Sequence, residues 1–362
     1  MKRAFLLLVF SALSSIAYGE IGAPITGDPL FFTGESKTTA TAQLLHLSKA
    51  APKLGLANGT AEFEAGRDFR WSPDSRVLTL TADSRIPFKT TAELHPPPKS
   101  PNSYAAQRGT DRWMLFGPGR VLHDLTCVAS YSSNDDWQLP RVEPAPDAQL
   151  GGFRAKLRGR QPVKIVLLGD SISTGADASA ISRVAPNQPG YPDLVAQGLK
   201  QRFATEVTLV NLSKGGMDSK WGRAQVSAVI AEKPDLFLVA FGMNDASGRR
   251  KPEEFAQITR EIFQPVREAR PECAVLLIAP MTANPEWSHS APEFYPQYAT
   301  ALAGLTGPSV AMANVTAAWT AVLSRKKDLD LSGNGLNHPN DFGHRLYADV
   351  ILSVIADSAA AR

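Results

Sequence analysis

Cysteine is scarce: 362 residues contain only Cys127 and Cys273. Two thiols cannot build a disulfide framework or a thiolate metal cluster for a chain of this length, so stability must come from packed cores. Each sits in an apolar, strand-like run, Leu125 to Tyr131 and Cys273 to Ala279, and reads as a separate small core residue, not half of a bridge. Long apolar runs are equally rare. The one at the start, Ala4 to Leu13, follows Lys2 and Arg3 and precedes the small-x-small triplet Ala17-Tyr18-Gly19, the anatomy of a secretory signal. Nothing later approaches the roughly 18 consecutive apolar residues that cross a bilayer, so the expected mature protein begins after residue 19, has no membrane span, and is secreted or periplasmic. An excess of one charge is also missing. Lys and Arg total 38 against 35 Asp and Glu, and cleavage after Gly19 would lower the formal net charge from +3 to about +1. Nucleic-acid binding loses its electrostatic basis.

What is present divides into two rhythms. Up to about Pro146, short runs alternate side chains across two faces and are separated by turn residues. In Arg76 to Thr81, Val77, Thr79 and Thr81 share one face and Leu78 and Leu80 the other, after the turn-like Trp71-Ser72-Pro73-Asp74-Ser75. Further strands are expected in Gly59 to Ala65, Trp113 to Phe116 and Thr126 to Ser130. Pro96-Pro97-Pro98 and Pro101 place Thr90 to Arg112 in a surface loop. This half reads as an all-β sandwich over 20–150, with Trp71, Tyr131 and Trp137 mostly in its core.

From Val163, apolar strands alternate with amphipathic helices, the pattern of a parallel sheet covered on both faces. Strands are expected at Lys164 to Leu168, Val207 to Asn211, Leu236 to Phe241, Ala274 to Ala279 and Val310 to Ala313. Helices are expected at Tyr191 to Phe203, Arg223 to Glu232, Pro252 to Gln264, Pro292 to Leu305 and Asp341 to Ala356. Glu143 to Gly152, with two prolines and two glycines, reads as the linker into an α/β domain over 151–362.

Polar signals cluster at the ends of these strands, where a parallel sheet places its ligands. The first strand runs into Gly169-Asp170-Ser171, the second ends in Asn211-Leu212-Ser213-Lys214-Gly215-Gly216, and the third in Phe241-Gly242-Met243-Asn244-Asp245. A Gly-Asp-Ser triplet alone arises by chance in about one chain in ten of this length. It is not the Gly-x-Ser-x-Gly elbow, because Ser173 holds the last glycine position. Ser171 nevertheless offers a hydroxyl, while a glycine N–H at 216 and the Asn244 amide could donate to an oxyanion. Asn337-His338-Pro339-Asn340-Asp341 precedes the last helix, and His338, held extended before proline, suits an imidazole presented to a pocket. His289 is the rival base, and His344, inside the helix, a packing or surface residue.

With Ser171, Gly216, Asn244 and His338 in this order, the second half resembles the SGNH, or GDSL-like, hydrolases over about residues 160 to 358. The resemblance implies a three-layer flavodoxin-like sheet, an ester hydrolase, Ser171 as nucleophile, His338 as base, and an oxyanion hole from the N–H groups of Ser171 and Gly216 and the Asn244 amide. It implies no metal and no organic cofactor. A β-domain ahead of such a module is similar to secreted two-domain carbohydrate esterases that remove acetyl groups, so the expected partner is an acylated carbohydrate or another small ester. The alternatives are a lipid esterase and an inactive carbohydrate-binding protein. One departure stands out. The family's aspartate three residues before its histidine is replaced by Gly335, so the usual third triad member is missing. Asn334, a backbone carbonyl or Asp341 could orient His338, although Asp341 also fits as the cap of the last helix and is read that way.

Overall fold

The computed structural model describes residues 21–104 and 106–356. The expected export signal lies outside the described residues. In chain order the strands are β1 (Pro24–Leu30), β2 (Thr41–Gln43), β3 (Lys53–Leu56), β4 (Glu62–Phe63), β5 (Phe69–Arg70), β6 (Val77–Leu80), β7 (Ser103–Tyr104), β8 (Met114–Leu115) and β9 (Cys127–Ser132). They are followed by β10 (Val163–Gly169), β11 (Val207–Asn211), β12 (Leu236–Ala240), β13 (Ala274–Ala279) and β14 (Val310–Asn314).

The first nine strands form antiparallel sheets in the orders β1-β9-β3-β4 and β2-β6-β5, with β7 and β8 as a separate pair. The alternation that predicted strands is physical: along β9, Cys127, Ala129 and Tyr131 are buried while Val128, Ser130 and Ser132 are more exposed, as one core-facing side requires. Short helical turns, Thr91–Leu94 and Arg120–His123, interrupt this half. Tyr131 is buried in it, and Trp137 packs edge-on against His46 beneath the Arg325 guanidinium. Both cysteines are free and buried.

The other five strands form one parallel sheet, β11-β10-β12-β13-β14. β13 is buried along its whole length and β10 nearly so, which is why both read as unbroken apolar runs and not as alternation. The order reverses at β10, so its carboxyl end faces the crevice where doubly wound sheets bind ligands. The helices lie close to expectation: Tyr191–Phe203, Pro252–Ala269, Phe294–Ala303 and Asp341–Ile355. The helix expected from Arg223 to Glu232 is two pieces, Ser219–Arg223 and Val226–Glu232. The expected linker is also corrected. A helix runs from Asp147 to Arg158 and packs on β13 and β14 with Leu150, Phe153 and Leu157 buried; apolar spacing on one face outweighs the helix-weakening Gly151 and Gly152.

The two halves share one continuous hydrophobic core, from Leu30 and Phe32 through β10 and β13. Polar contacts reinforce the seam. Lys326 donates to Asp28 Oδ1 at 2.8 Å with both side chains fully buried, and also to the Gln43 carbonyl. Asp28 Oδ2 accepts from Leu45 N and from Tyr131 Oη, each at 2.7 Å. Asp330 Oδ1 accepts from Phe31 N, and Lys327 donates to Thr33 Oγ1, again at 2.7 Å. The segment leading to His338 is therefore clamped to the first half. Removing one member of a buried pair strands the other's charge, so Lys326→Met should destabilise the chain by about 3 kcal/mol or more. The doubly substituted Asp28→Asn, Lys326→Met should recover part of that loss, with urea unfolding of both variants as the check.

Candidate active site

β10 ends at Gly169, where a side chain would collide with Ser173 and the Ala240 carbonyl; the strand end needs glycine because the following turn and β12 approach it so closely. Asp170 then points inward. Its Oδ1 accepts from Ile172 N at 3.0 Å, and burial pushes its carboxyl up to about 7. The turn closes through Thr174, whose N–H reaches the Asp170 carbonyl and whose Oγ1 donates to the Ser171 carbonyl. Ser171 is left half-buried with its hydroxyl facing the crevice.

Ser171 Oγ lies 2.8 Å from His338 Nε2, and His338 Nδ1 lies 2.7 Å from Asp177 Oδ2. A carboxylate accepts only, so Nδ1 carries the proton and Nε2 is left to accept from the serine hydroxyl. This is a serine–histidine–aspartate constellation, and it corrects the expectation that an acid is missing. Asp341 is not the partner of His338, nor is it the helix cap. It is the first residue of Asp341–Ile355, its Oδ1 accepts from Ser179 N at 2.8 Å, and the capping side chain is Asn340, which accepts from Gly343 N. Asn334 acts on the backbone: its Oδ1 accepts from the N–H groups of Leu336, Asn337 and His338, at 2.9, 3.0 and 3.2 Å. Gly335 has φ +91, and a Cβ there would run into the Leu115 carbonyl of β8. The position the family gives to its acid is thus occupied by backbone from the first half.

Asp177, six residues beyond the nucleophile, went unrecognised in the sequence. It is 5% exposed, has φ +63, and its second oxygen, Oδ1, accepts from Gly119 N at 2.6 Å. The only signal available was its placement in the loop after the first strand end. Among the other histidines, His289 is exposed against the Trp287 ring and does not join this group. His344 is buried: Nε2 donates to the Ala176 carbonyl, Nδ1 accepts from Tyr191 N, and burial pulls its pKa down to about 4.

The two oxyanion candidates lie in the loop after β11 and in the short helix after β12. In the loop after β11, a Cβ on Gly215 would sit 3.7 Å from Ser171 Cβ. Gly216 beside it is exposed, with φ +76. Asn244 belongs to the helix Met243–Ser247 and is not its cap. Its Nδ2 donates one hydrogen to the Met217 carbonyl at 2.8 Å, which fixes the amide and leaves the second hydrogen for a ligand. Buried Asp245 braces this arrangement, accepting from Ser219 N and Oγ and from Arg250 Nε, while Arg250 also reaches Asp218. Among the described residues, no three His, Cys, Asp or Glu side chains are grouped to hold a metal ion.

A flavodoxin-like parallel sheet carrying this constellation at its switch point defines an SGNH-type α/β domain. Residues 167–346 match the model of the GDSL-like Lipase/Acylhydrolase family, and this part of the chain belongs to that family. The chain is 28% identical over 137 residues to thioesterase 1/protease 1/lysophospholipase L1 of Escherichia coli, covering 37% of this chain and 61% of that protein. It is 25% identical over 207 residues to the GDSL lipase Rv0518 of Mycobacterium tuberculosis, covering 53% of this chain and 81% of that one. Solved structures similar to it include a two-domain esterase active on acetylated mannans, with 22% identity, TM-score 0.47, and coverage of 60% of this chain and 56% of that chain. Another is an acetylxylan esterase from Geobacillus stearothermophilus, with 20% identity, TM-score 0.46, and coverage of 54% and 95%.

The buried Asp170 carboxyl gives a test of the site's electrostatics. Its folded pKa lies above its unfolded one, so the native state holds the extra proton between them, and the associated stability is complete below about pH 4 and is lost as pH rises through about 7. Asp170→Asn keeps the acceptor for Ile172 N and removes the titration. Relative to wild type, its unfolding free energy should therefore rise between pH 4 and pH 8, by on the order of 3 kcal/mol; parallel curves would show that Asp170 titrates normally.

Proposed function

We propose that this protein is a serine ester hydrolase that removes short acyl groups, acetyl foremost, from carbohydrate. The observation that carries the reaction class is the continuous hydrogen-bonded line Ser171–His338–Asp177. His338 takes the Ser171 proton as the hydroxyl attacks the ester carbonyl. The oxyanion rests on the N–H groups of Ser171 and Gly216 and on the Asn244 amide, and the acylated serine is then released by water entering along the same path. Asp177 fixes the imidazole tautomer and stabilises the imidazolium.

The substrate class rests on the surroundings of Ser171 and on the likeness of the two-domain layout to secreted carbohydrate esterases. Thr174, whose Oγ1 donates to the Ser171 carbonyl, and Gly215, whose Cβ would lie 3.7 Å from that of Ser171, are both exposed, which suits a small acyl group on a bulky hydrophilic carrier. A lipid esterase calls for an apolar acyl channel. The cavity of about 310 Å³ walled by Pro29, Leu56, Leu122, Val128 and Phe342 lies at the seam between the halves, and Ser171 is not among its walls. The export expected from the N-terminal sequence would bring the protein to such substrates outside the cytoplasm.

Ser171→Ala should abolish hydrolysis of an aryl acetate with the fold intact, and an organophosphonate should label Ser171 stoichiometrically; labelling of another serine would overturn the reading. Asn244→Ala should lower kcat about 100-fold or more with a smaller change in KM. The acid assignment separates two variants. Asp177→Ala should cost about 1,000-fold or more in kcat, whereas Asp341→Ala should keep kcat within about tenfold and lower the melting temperature instead. Acetate release from acetylated polysaccharides, compared with release of long fatty acids from lipid esters, checks the substrate class.

A further inference from the structure

Asp177 is a residue of the α/β half held by the β half. Its Oδ1 takes the Gly119 N–H at 2.6 Å, and its main-chain carbonyl takes His123 Nε2 at 3.0 Å. Both donors belong to the turn entering and forming the helix Arg120–His123, which precedes β9. Asp177 needs external restraint because its φ of +63 is left-handed and it is not glycine, a conformation that surrounding contacts must enforce. Its other contacts leave little slack. A Cβ on Gly333 would come within 2.6 Å of Asp177 Cβ, and His344 fixes the carbonyl of the preceding Ala176. Its remaining oxygen, Oδ2, is thereby aimed at His338.

We propose that the N-terminal half is a working part of the catalytic centre, with His123 as the positioning residue that fixes Asp177 behind His338. This rests on the ester-hydrolase reading above. His123 is buried and also lines the seam cavity, so a smaller or differently shaped side chain has space to occupy. Without its donor, the Asp177 peptide can relax from φ +63, and the carboxylate leaves the imidazole while Ser171, Asn244 and Gly216 stay in place.

The test uses the full chain and compares His123→Leu, His123→Gln, Asp177→Ala and the double variant His123→Leu, Asp177→Ala, with circular dichroism confirming the fold. His123→Leu should lower kcat on an aryl acetate by about 10- to 100-fold, with KM within about threefold, as a misplacement on the order of 1 Å does. His123→Gln, which retains a donor, should restore kcat to within about fivefold of wild type. In the Asp177→Ala background, His123→Leu should cost nothing further. Wild-type kcat in His123→Leu, or a full additional loss in the double variant, would overturn the proposal. Should the leucine variant not fold, His123→Ala, which also removes the donor, takes its place: the same fall in kcat of about 10- to 100-fold supports the proposal, and wild-type kcat overturns it. A harmless Asp177→Ala would instead bring down the mechanism on which the proposal rests.

Discussion

The contact between His338 and Asp177 ties together more of this molecule than any other. It joins the loop after β10 to the loop before the last helix, both at the carboxyl ends of a parallel sheet. Through the second oxygen of the same carboxylate, it also reaches Gly119 in the other half. A 2.7 Å bond between an imidazole and a carboxylate requires both loops to be held to within a few tenths of an ångström. Much of the surrounding structure restrains one loop or the other.

The restraints on His338 come largely from outside its own loop. Lys326 and Asp330 anchor the preceding segment to β1 and to the turn after it, and the Gly117 N–H takes the Asn334 carbonyl. Asn334 then gathers three successive N–H groups onto one oxygen, fixing the direction in which the chain enters Pro339. The buried Lys326–Asp28 pair is a weak source of net stability, since desolvation offsets most of its attraction. Its value lies in geometry: a buried charge has one satisfactory partner, so the segment can dock in one register only.

The strands and helices of the second half were legible because a parallel sheet leaves continuous apolar runs and its helices leave three- and four-residue spacing. The pairing of Ser171 with His338 was legible because one lies just past a strand end and the other just before a helix, in a recognisable order with Gly216 and Asn244. Asp177 was not, because Gly175-Ala176-Asp177 has neither periodicity nor composition to distinguish it from any exposed turn. Its meaning depends on contacts with residues about 60 positions before it and about 160 after it. The helix Asp147–Arg158 was missed for a different reason. Pro144, Pro146, Gly151 and Gly152 carry strong local signals for a linker, and only the burial of Leu150, Phe153 and Leu157 against β13 and β14 overrides them.

Gly335 and Asp177 are two sides of one constraint. In the related family the acid stands three residues before the histidine, on the histidine's own loop. Here that position lies against the Leu115 carbonyl, where even a methyl group would collide, and its φ of +91 favours glycine independently. Docking β8 this tightly on the histidine loop and keeping a carboxylate at 335 are therefore incompatible. An acid arriving from the Ser171 loop resolves the conflict, since Asp177 Oδ2 meets His338 Nδ1 at 2.7 Å without a carboxylate at 335. The resolution carries a dependence of its own. An aspartate in left-handed backbone conformation does not hold itself, and the groups that hold it, Gly119 and His123, come from the half whose docking displaced the usual acid. On this argument the two halves form a single catalytic unit, and the β-domain's position on the α/β domain is fixed by chemistry as well as by packing.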